Sequence, residues 1–298
     1  MLAAIRYRLR SLLWRRSIFM VPALARVYRA RFGAWPSLFH PRTFNEKLYV
    51  RMALDRRDIL QRTAGKLEAR AFVAERLGRS DMQAALLGAI RSWDEAKTPA
   101  LPTHWIMKAS HASGAVRLVT PEEPISPDEM KATIARWLQI DYGRYGLEWC
   151  YHGLERVVVV EELLQQDGRV PRDIKFFCFE GKVVYIQVDS SRFESHTQSI
   201  FDLGWNRLDV LVKDYLPDSE PVAKPALLGE MIGVAERLSA GIDFIRVDMF
   251  DLGTDFKVGE LTNYPQGGSG TFTPASWDLV FGSHWNMPKL PVLRGWRR

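Results

Sequence analysis

Apolar positions recur at helical spacing near the start of the chain, and a mixed pattern follows. Leu2, Ile5 and Leu9 mark one face of a helix, and arginines fill the positions between them. A second stretch rich in helix formers runs from Phe44 to about Leu77. Downstream, short apolar runs bounded by turn residues predict antiparallel strand pairs with helices between them. This order predicts the α+β fold class.

The predicted elements of the second part come in a definite order. The predicted strands cover residues 105–108, 116–119, 157–160, 173–179, 183–188, 244–250 and 256–261. The predicted helices cover residues 126–140 and 225–240. A loop of small residues, 109–115, joins the first two strands, and Gly253 lies in the turn between the last two. Breaks in the pattern divide the chain into four parts, with bounds 1–40, 41–100, 101–160 and 161–298.

The positive charge of the chain is concentrated at its front. The formal net charge is +6, but residues 1–31 hold eight arginines and no acid, so the remainder is close to neutral. A basic amphipathic helix suits either an anionic membrane surface or packing against the body with its arginines in solvent, and both interpretations stay open. No recognition motif accompanies the charge, so nucleic acid is not an expected partner.

The remaining composition narrows the class of protein. No run of about 20 apolar residues occurs, so no membrane span is predicted. Cys150 and Cys178 cannot form a disulfide framework, and no CxxC pair indicates a zinc site. We therefore expect a cytoplasmic protein, with peripheral contact at the inner membrane surface as one reading of residues 1–31.

Charged side chains inside predicted strands are the candidates for chemistry, because burying an unpaired charge is costly. Lys108 ends a strand beside the small-residue loop, and Lys175 lies within another strand. Strand alternation places Arg246 and Asp248 on one face. If the last two strands pair as a hairpin, Asp248 and Glu260 converge.

Two carboxylates with a nearby side-chain oxygen, from Thr262 or Asn263, suit Mg²⁺, which prefers oxygen ligands and often bridges to phosphates. The two lysines and the loop 109–115 would supply positive charge and backbone N–H groups to a polyphosphate. Neither GxxxxGK[ST] nor GxGxxG occurs in the sequence. The residues therefore predict a metal-assisted polyphosphate site without a common nucleotide loop.

This order of segments resembles the ATP-grasp superfamily, and the segments look like its TupA-like branch, associated with teichuronopeptide and cell-surface polysaccharide synthesis. The most specific stretches are 108–114, 173–179, 186–189, 246–248 and 259–262. The resemblance implies two α+β lobes that clamp ATP between antiparallel sheets. Residues 101–160 would form the lid and 161–298 the C-terminal subdomain with the metal site, after a basic segment and a helical or mixed region.

The resemblance also implies roles for individual residues. The nucleotide phosphates would be held by Lys108 and Lys175. The loop that closes over the γ-phosphate would be formed by Ser110, His111, Ser113 and Gly114. The hinge that meets adenine would consist of Glu161, Glu162 and Leu164. The magnesium carboxylates would be Asp248 and Glu260. Many members carry Asn where this chain has Thr262, so the third ligand, Thr262 or Asn263, stays open.

The implied catalytic residues are Arg246, near the developing oxyanion, with Lys175 and Arg192. Arg192 reaches the acyl phosphate or pairs with Asp189, and His111 touches phosphate or shapes the loop; both questions stay open. The implied reaction is ATP- and Mg²⁺-dependent ligation of an amine or amino acid to a uronic acid of a surface glycan. Two alternatives remain: a sugar kinase, and a non-catalytic membrane- or glycan-binding module.

Overall fold

The computed structural model describes residues 20–93, 101–166, 168–190, 197–213 and 215–290. Its helices are α1 (Met20–Phe32), α2 (Phe44–Leu54), α3 (Asp58–Ala64), α4 (Lys66–Leu77), α5 (Pro127–Leu138), α6 (Tyr142–Tyr145), α7 (Leu228–Ser239) and α8 (Ser276–Ser283). Short 3₁₀ turns cover Trp149–Tyr151 and Pro265–Gly268. Within the ranges that the structure describes, no helix has both the length and the apolar character needed to cross a bilayer.

The strands form three antiparallel sheets. They are β1 (Leu86–Ile90), β2 (Trp105–Ala109), β3 (Val116–Val119), β4 (Val158–Glu162), β5 (Arg172–Phe179), β6 (Lys182–Ser190), β7 (Thr197–Phe201), β8 (Leu211–Val212), β9 (Phe244–Asp251), β10 (Phe256–Thr262) and β11 (Phe272–Thr273). The small sheet has the order β1-β4-β2-β3, the large sheet has the order β10-β9-β5-β6-β7, and β11 pairs with β8. The predicted α+β class is confirmed.

Local sequence explains where several helices begin and end. Thr43 caps α2 by accepting a bond from the backbone of Glu46, whose side chain bonds back to the cap. Ser126 caps α5, and Pro127 occupies its first turn. α4 ends at Gly78, which adopts a left-handed conformation with φ 69°. These caps satisfy backbone groups that a helix end otherwise leaves without partners.

The small sheet packs one face against α5. Trp105, Met107 and Val160 belong to this core together with Ile134 of the helix. β1 pairs with β4, so residues 86–90 are part of this sheet. The expected boundary between residues 100 and 101 therefore separates β1 from the other strands of the small sheet, because β1 lies in the region 41–100 and forms an edge of that sheet.

The large sheet has two unlike faces. On one face α7 packs against apolar side chains such as Ile174 and Val247. On the other face, one end is aromatic: Phe177 and Phe244 share a core with Phe44 of α2. The opposite end of that same face carries charged side chains. Helix packing covers the aromatic end and leaves the charged end for the candidate site.

The basic front segment is described only from residue 20, and residues 1–19 lie outside the described residues. α1 buries Met20, Leu24 and Tyr28 in the aromatic core. Arg31 donates from Nε to the carbonyl oxygen of Ser269 at 2.9 Å. Residues 20–32 therefore pack an apolar stripe on the body. The helix predicted around Leu2, Ile5 and Leu9, for which the sequence left two interpretations open, lies outside the described residues.

Candidate functional site

The charged end of the large sheet gathers side chains from four strands. Lys175 is the cross-strand partner of Asp248, and Asp248 is in turn the partner of Glu260. Lys175 Nζ contacts Asp173 and lies 3.3 Å from Asp189 and 3.5 Å from Asp248. Burial lowers the pKa of Lys175, but the three carboxylates outweigh it and the pKa is raised. The lysine therefore stays charged at the centre of an acidic cluster.

Arg246 holds Asp248 in a fixed orientation. Its Nε and Nη2 donate to the two carboxylate oxygens at 2.7 and 2.6 Å, and Nη2 also reaches Thr262 Oγ1 at 3.3 Å. Burial opposes the charge of Arg246, but the adjacent Asp248 outweighs it and raises the pKa of the guanidinium.

The charges of this cluster suit a divalent cation. Among the described residues, Lys175 and Arg246 lie beside the carboxylates of Asp173, Asp189, Asp248 and Glu260. Asp248 is buried, whereas Glu260 beside it is exposed. In the described part of the chain, no three His, Cys, Asp or Glu side chains are arranged around a metal position. Two carboxylates still fit Mg²⁺, because this ion commonly takes its remaining ligands from phosphates and water.

The two candidates for the third oxygen ligand lie in different surroundings. Thr262 shares the face of Glu260 and contacts Arg246. Asn263 is buried, and its Nδ2 donates to the carbonyl of Leu60 at 2.8 Å and to Thr63 Oγ1 at 2.9 Å. The amide of Asn263 therefore anchors α3 to the end of β10 and is occupied there.

A second charged group lies on the small sheet, on the face away from α5. Lys108 Nζ lies 2.7 Å from Glu161 Oε2, and Arg70 of α4 lies 2.9 Å from Glu161 Oε1. Glu162 accepts a bond from the backbone of residue 85. Leu164 is half-buried just beyond β4. Of the three residues predicted for the hinge, Glu161 and Glu162 therefore end β4 and Leu164 follows it.

The loop between β2 and β3 has a buried base and an exposed tip. Ser110 Oγ accepts a bond from the backbone of Leu67, and His111 Nε2 lies 3.1 Å from the carbonyl oxygen of Trp137. Burial lowers the pKa of His111. Ser113 and Gly114 are exposed. Two of the four predicted loop residues therefore anchor the loop, and the other two present its tip.

Sequence reasoning missed Lys66, which ties α4 to this loop. Its Nζ donates to the carbonyl oxygens of Ala109 and Ala112 at 2.9 and 2.8 Å. Arg70 lies one helical turn further on, and this basic pair at i and i+4 is the pattern that a search could have used. Arg192, a predicted catalytic residue, lies outside the described residues.

A cleft of about 300 Å³, counting the part open to solvent, adjoins Arg246. Its described lining combines aromatic rings, side-chain amides and a guanidinium, from Phe44, Phe177, Phe272, Asn45, Gln187, Gln266 and Arg246. The Oε1 atom of Gln266 is buried and has no hydrogen-bond partner in the described structure. Gln266 also has a left-handed backbone, with φ 53°, a strained conformation typical of functional sites.

Comparison with known proteins bears on the family. A family model described as TupA-like ATPgrasp matches residues 46–286. Comparison with curated proteins found no match for this chain.

Three solved structures of ligases resemble the chain at low identity. A D-alanine–D-alanine ligase from Bacillus anthracis is 16% identical over 67% of this chain and 57% of that chain, with a TM-score of 0.38. A phosphoribosylamine–glycine ligase from Thermotoga maritima is 13% identical over 70% and 50%, with a TM-score of 0.41. A D-alanine–D-alanine ligase from Helicobacter pylori is 14% identical over 77% and 60%, with a TM-score of 0.41.

This chain therefore spans between half and three fifths of the length of those structures, and all three TM-scores lie below 0.5. The identification rests instead on the family model, which matches most of the sequence. Its range includes both charged groups, the loop between β2 and β3, and most of the cleft. The family predicted from the sequence is confirmed, and the chain belongs to the TupA-like ATP-grasp family.

Proposed function

We propose that the protein is an ATP-dependent carboxylate–amine ligase. The observation that carries this proposal is that Asp248 and Glu260 are cross-strand partners. Arg246 contacts Asp248 of this pair and also lines the adjacent cleft. An acidic pair suits a magnesium–nucleotide complex, and an adjacent cation suits a substrate carboxylate. Family membership supports the same conclusion.

The chemistry that this arrangement suits proceeds in two steps. A carboxylate resists attack by an amine because its leaving group is poor. Transfer of the γ-phosphoryl group from ATP to the carboxylate gives an acyl phosphate and ADP, and the amine then displaces phosphate to form the amide. Such catalysis depends on positioning and on charge neutralisation, so no protein nucleophile is required.

Each charged residue has a part in this scheme. Asp248 and Glu260 would hold Mg²⁺, with Thr262 as the third oxygen, because Asn263 is occupied by Leu60 and Thr63. Bound there, the ion would neutralise charge on the phosphates. Lys108 binds the nucleotide phosphates from the small sheet.

Two cations on the large sheet have separate tasks. Lys175 makes its contacts with Asp173, Asp189 and Asp248, so we assign it to positioning the Asp248 carboxylate. This differs from the phosphate contact that the family resemblance implies. Arg246, which lines the cleft, would bind the substrate carboxylate and stabilise the charge that develops there.

The cleft beside Arg246 supports a hydroxylated monocarboxylic acid as the acyl substrate. Gln266 Oε1, which has no partner in the described structure, matches a hydroxyl, the aromatic rings match the apolar face of a sugar ring, and the guanidinium of Arg246 matches one carboxylate. A uronic acid of a cell-surface polysaccharide has this chemistry, and the amine would be an amino acid or a simple amine.

Hydroxylamine trapping tests the ligase directly. Glucuronate or galacturonate with ATP, Mg²⁺ and hydroxylamine should give a hydroxamate and ADP. Asp248→Asn should give neither, whereas the control Asp255→Asn, in an ion pair with Lys257 at the surface, should retain both. ADP release with a stable phosphorylated sugar, and no hydroxamate, would instead favour a kinase.

A surface beside the basic segment supports peripheral contact with an anionic membrane. Trp35 and Phe39 are 57% and 58% exposed, and the Arg29 guanidinium lies 4.7 Å from the Trp35 ring. Exposed aromatic and basic side chains are typical of proteins that bind the headgroup region. The full chain should sediment with anionic vesicles and less with neutral ones. Equal recovery from both, or no effect of combined Trp35→Ala and Phe39→Ala, contradicts this location.

A further inference from the structure

Among the carboxylates that are buried in the described structure, one lacks a cationic partner. The buried carboxylates are Asp55, Glu148, Glu161, Asp173, Asp189, Asp248 and Asp251. All except Glu148 form an ion pair with an arginine or a lysine. Glu148 is 8% exposed, and its carboxyl has the Tyr142 hydroxyl as its hydrogen-bond partner among the described residues, at 3.0 Å.

The position of Glu148 connects three parts of the candidate site. Ser113, at the tip of the loop between β2 and β3, lies beside Tyr142. A Cβ atom added at Gly267, in the loop that borders the cleft, would lie 3.4 Å from Glu148 Oε1. The negative charge of Glu260 acts on Glu148 as well. The Glu148 carboxyl is therefore close to the loop between β2 and β3, to strand β10 and to the loop that borders the cleft.

An unpaired carboxylate in this position is unfavourable in the protein alone. Burial raises the pKa of Glu148, the hydrogen bond from Tyr142 lowers it and the charge of Glu260 raises it, and the resulting pKa is about 7. The other buried acids show that this fold normally supplies a cation to each. A cation from outside the chain would remove the penalty at Glu148.

We propose that the Glu148 carboxylate binds the ammonium group of the amine substrate. This inference rests on the proposed ligase function, in which the second substrate is an amine that is cationic before it reacts. Arg246 then receives the carboxylate substrate and Glu148 the amine, so the two substrates are distinguished by charge. Tyr142 fixes the orientation of Glu148 and lies beside Ser113, which places the amine site next to the loop between β2 and β3.

A minimal probe tests this without knowledge of the natural amine. Thermal unfolding of the full chain at pH 8 is compared in 100 mM ethylammonium chloride and 100 mM sodium chloride. Ethylammonium should raise the melting temperature of the wild type by about 2 °C, as expected for a weak ligand present above its Kd. The control Glu155→Gln changes an exposed acid paired with Arg91 and should show the same rise.

Glu148→Gln should abolish the rise, because the amide keeps the bond with Tyr142 but carries no charge. If this variant does not fold, a measurement on the wild type replaces it: at pH 5.5, where Glu148 is protonated, the rise should disappear. Equal rises in the wild type and Glu148→Gln, or at both pH values, overturn the proposal, as does no rise in the wild type.

The hydroxamate assay on the wild type separates this inference from the proposed function. Hydroxamate formation together with no specific ethylammonium effect leaves the ligase standing and rejects the Glu148 site. A specific ethylammonium effect without any hydroxamate supports the cation site and rejects the proposed reaction.

Discussion

Asp248 lies directly opposite Glu260, and it does so because β10 contains a bulge at Gly259. Val258 pairs with Met249, but the next paired residue on β10 is Glu260, opposite Asp248. Regular alternation would place Val258 and Glu260 on the same face of the sheet. The extra residue reverses this, so Val258 points into the core and Glu260 to the site. The acidic pair therefore depends on one glycine.

Gly259→Ala should disrupt this pair. A Cβ atom there would lie 2.8 Å from the Phe250 ring, so the ring or the bulge must move. We expect a loss of about 1–3 kcal/mol in unfolding free energy, in the range of overpacked sites. The increase in unfolding free energy that Mg²⁺ with ATP gives should be reduced by a larger fraction than the unfolding free energy of the protein alone, because Glu260 moves relative to Asp248. Urea unfolding with and without the nucleotide measures both.

The matched control for that variant is Gly233→Ala in α7. A Cβ atom at Gly233 meets nothing within 4 Å, so the change should stabilise the protein by about 0.4–1 kcal/mol through helix propensity. Its nucleotide response should equal that of the wild type. An intact nucleotide response in Gly259→Ala contradicts the role of the bulge.

Lys175→Met should destabilise the protein in a pH-dependent manner. The variant leaves Asp173, Asp189 and Asp248 with one cation fewer, and breaking such a buried pair costs about 3–5 kcal/mol. Burial raises the pKa of Asp189 and the charge of Lys175 outweighs it, so this pKa is lowered. Without Lys175 the Asp189 carboxyl takes up a proton more readily, so the loss should be large at pH 7 and smaller near pH 4. Urea unfolding at both pH values measures this. The exposed Lys182→Met should change little at either pH, and a loss independent of pH contradicts this role for Lys175.

Glu148 should make the stability of the wild type fall as the pH rises. Burial raises its pKa from 4.5 to about 7 in the folded chain, which therefore binds the proton more tightly than the unfolded chain. The stabilisation is complete below pH 4.5 and is lost by pH 7. At about 1.4 kcal/mol per pKa unit, the unfolding free energy should fall by about 3 kcal/mol over this pH range.

Glu148→Gln should remove this dependence. Relative to the wild type, the variant should gain stability between pH 5 and pH 8, as measured by urea unfolding without metal or nucleotide. Parallel stability curves for the two proteins would show that Glu148 does not titrate in this range.

Asp243→Ala should weaken the attachment of α2 and α3 to the large sheet. Asp243 accepts bonds from Arg51 at 2.6 Å, from Arg57 at 2.8 Å and from Trp285 at 2.7 Å. Removing it leaves the fully buried Arg51 without its closest partner, at a cost of about 3–5 kcal/mol. Chemical denaturation checks this. The exposed Asp81→Ala, which breaks a surface pair with Arg79, should have little effect.

The sequence predicted the class of fold and much of the candidate site because both have local signatures. The hairpins of β5 with β6 and of β9 with β10 join strands close in sequence, so apolar runs and turn residues were sufficient. Arg246 and Asp248 are two residues apart on one strand, so alternation placed them together. The sequence did not predict the strand β1, whose partner β4 is about seventy residues away.

The sequence by itself determined the order of elements, the charged positions within strands and the family to which the chain belongs. Only the tertiary structure decided which charges meet. The bulge at Gly259 decides on which face of the sheet Glu260 lies. Long-range packing brings Lys66 into contact with the loop between β2 and β3, and it leaves Glu148 without a cationic partner among the described residues. Cross-strand register and helix docking are set by contacts between distant residues, whose free energies depend on the whole fold and leave no periodic trace in the chain.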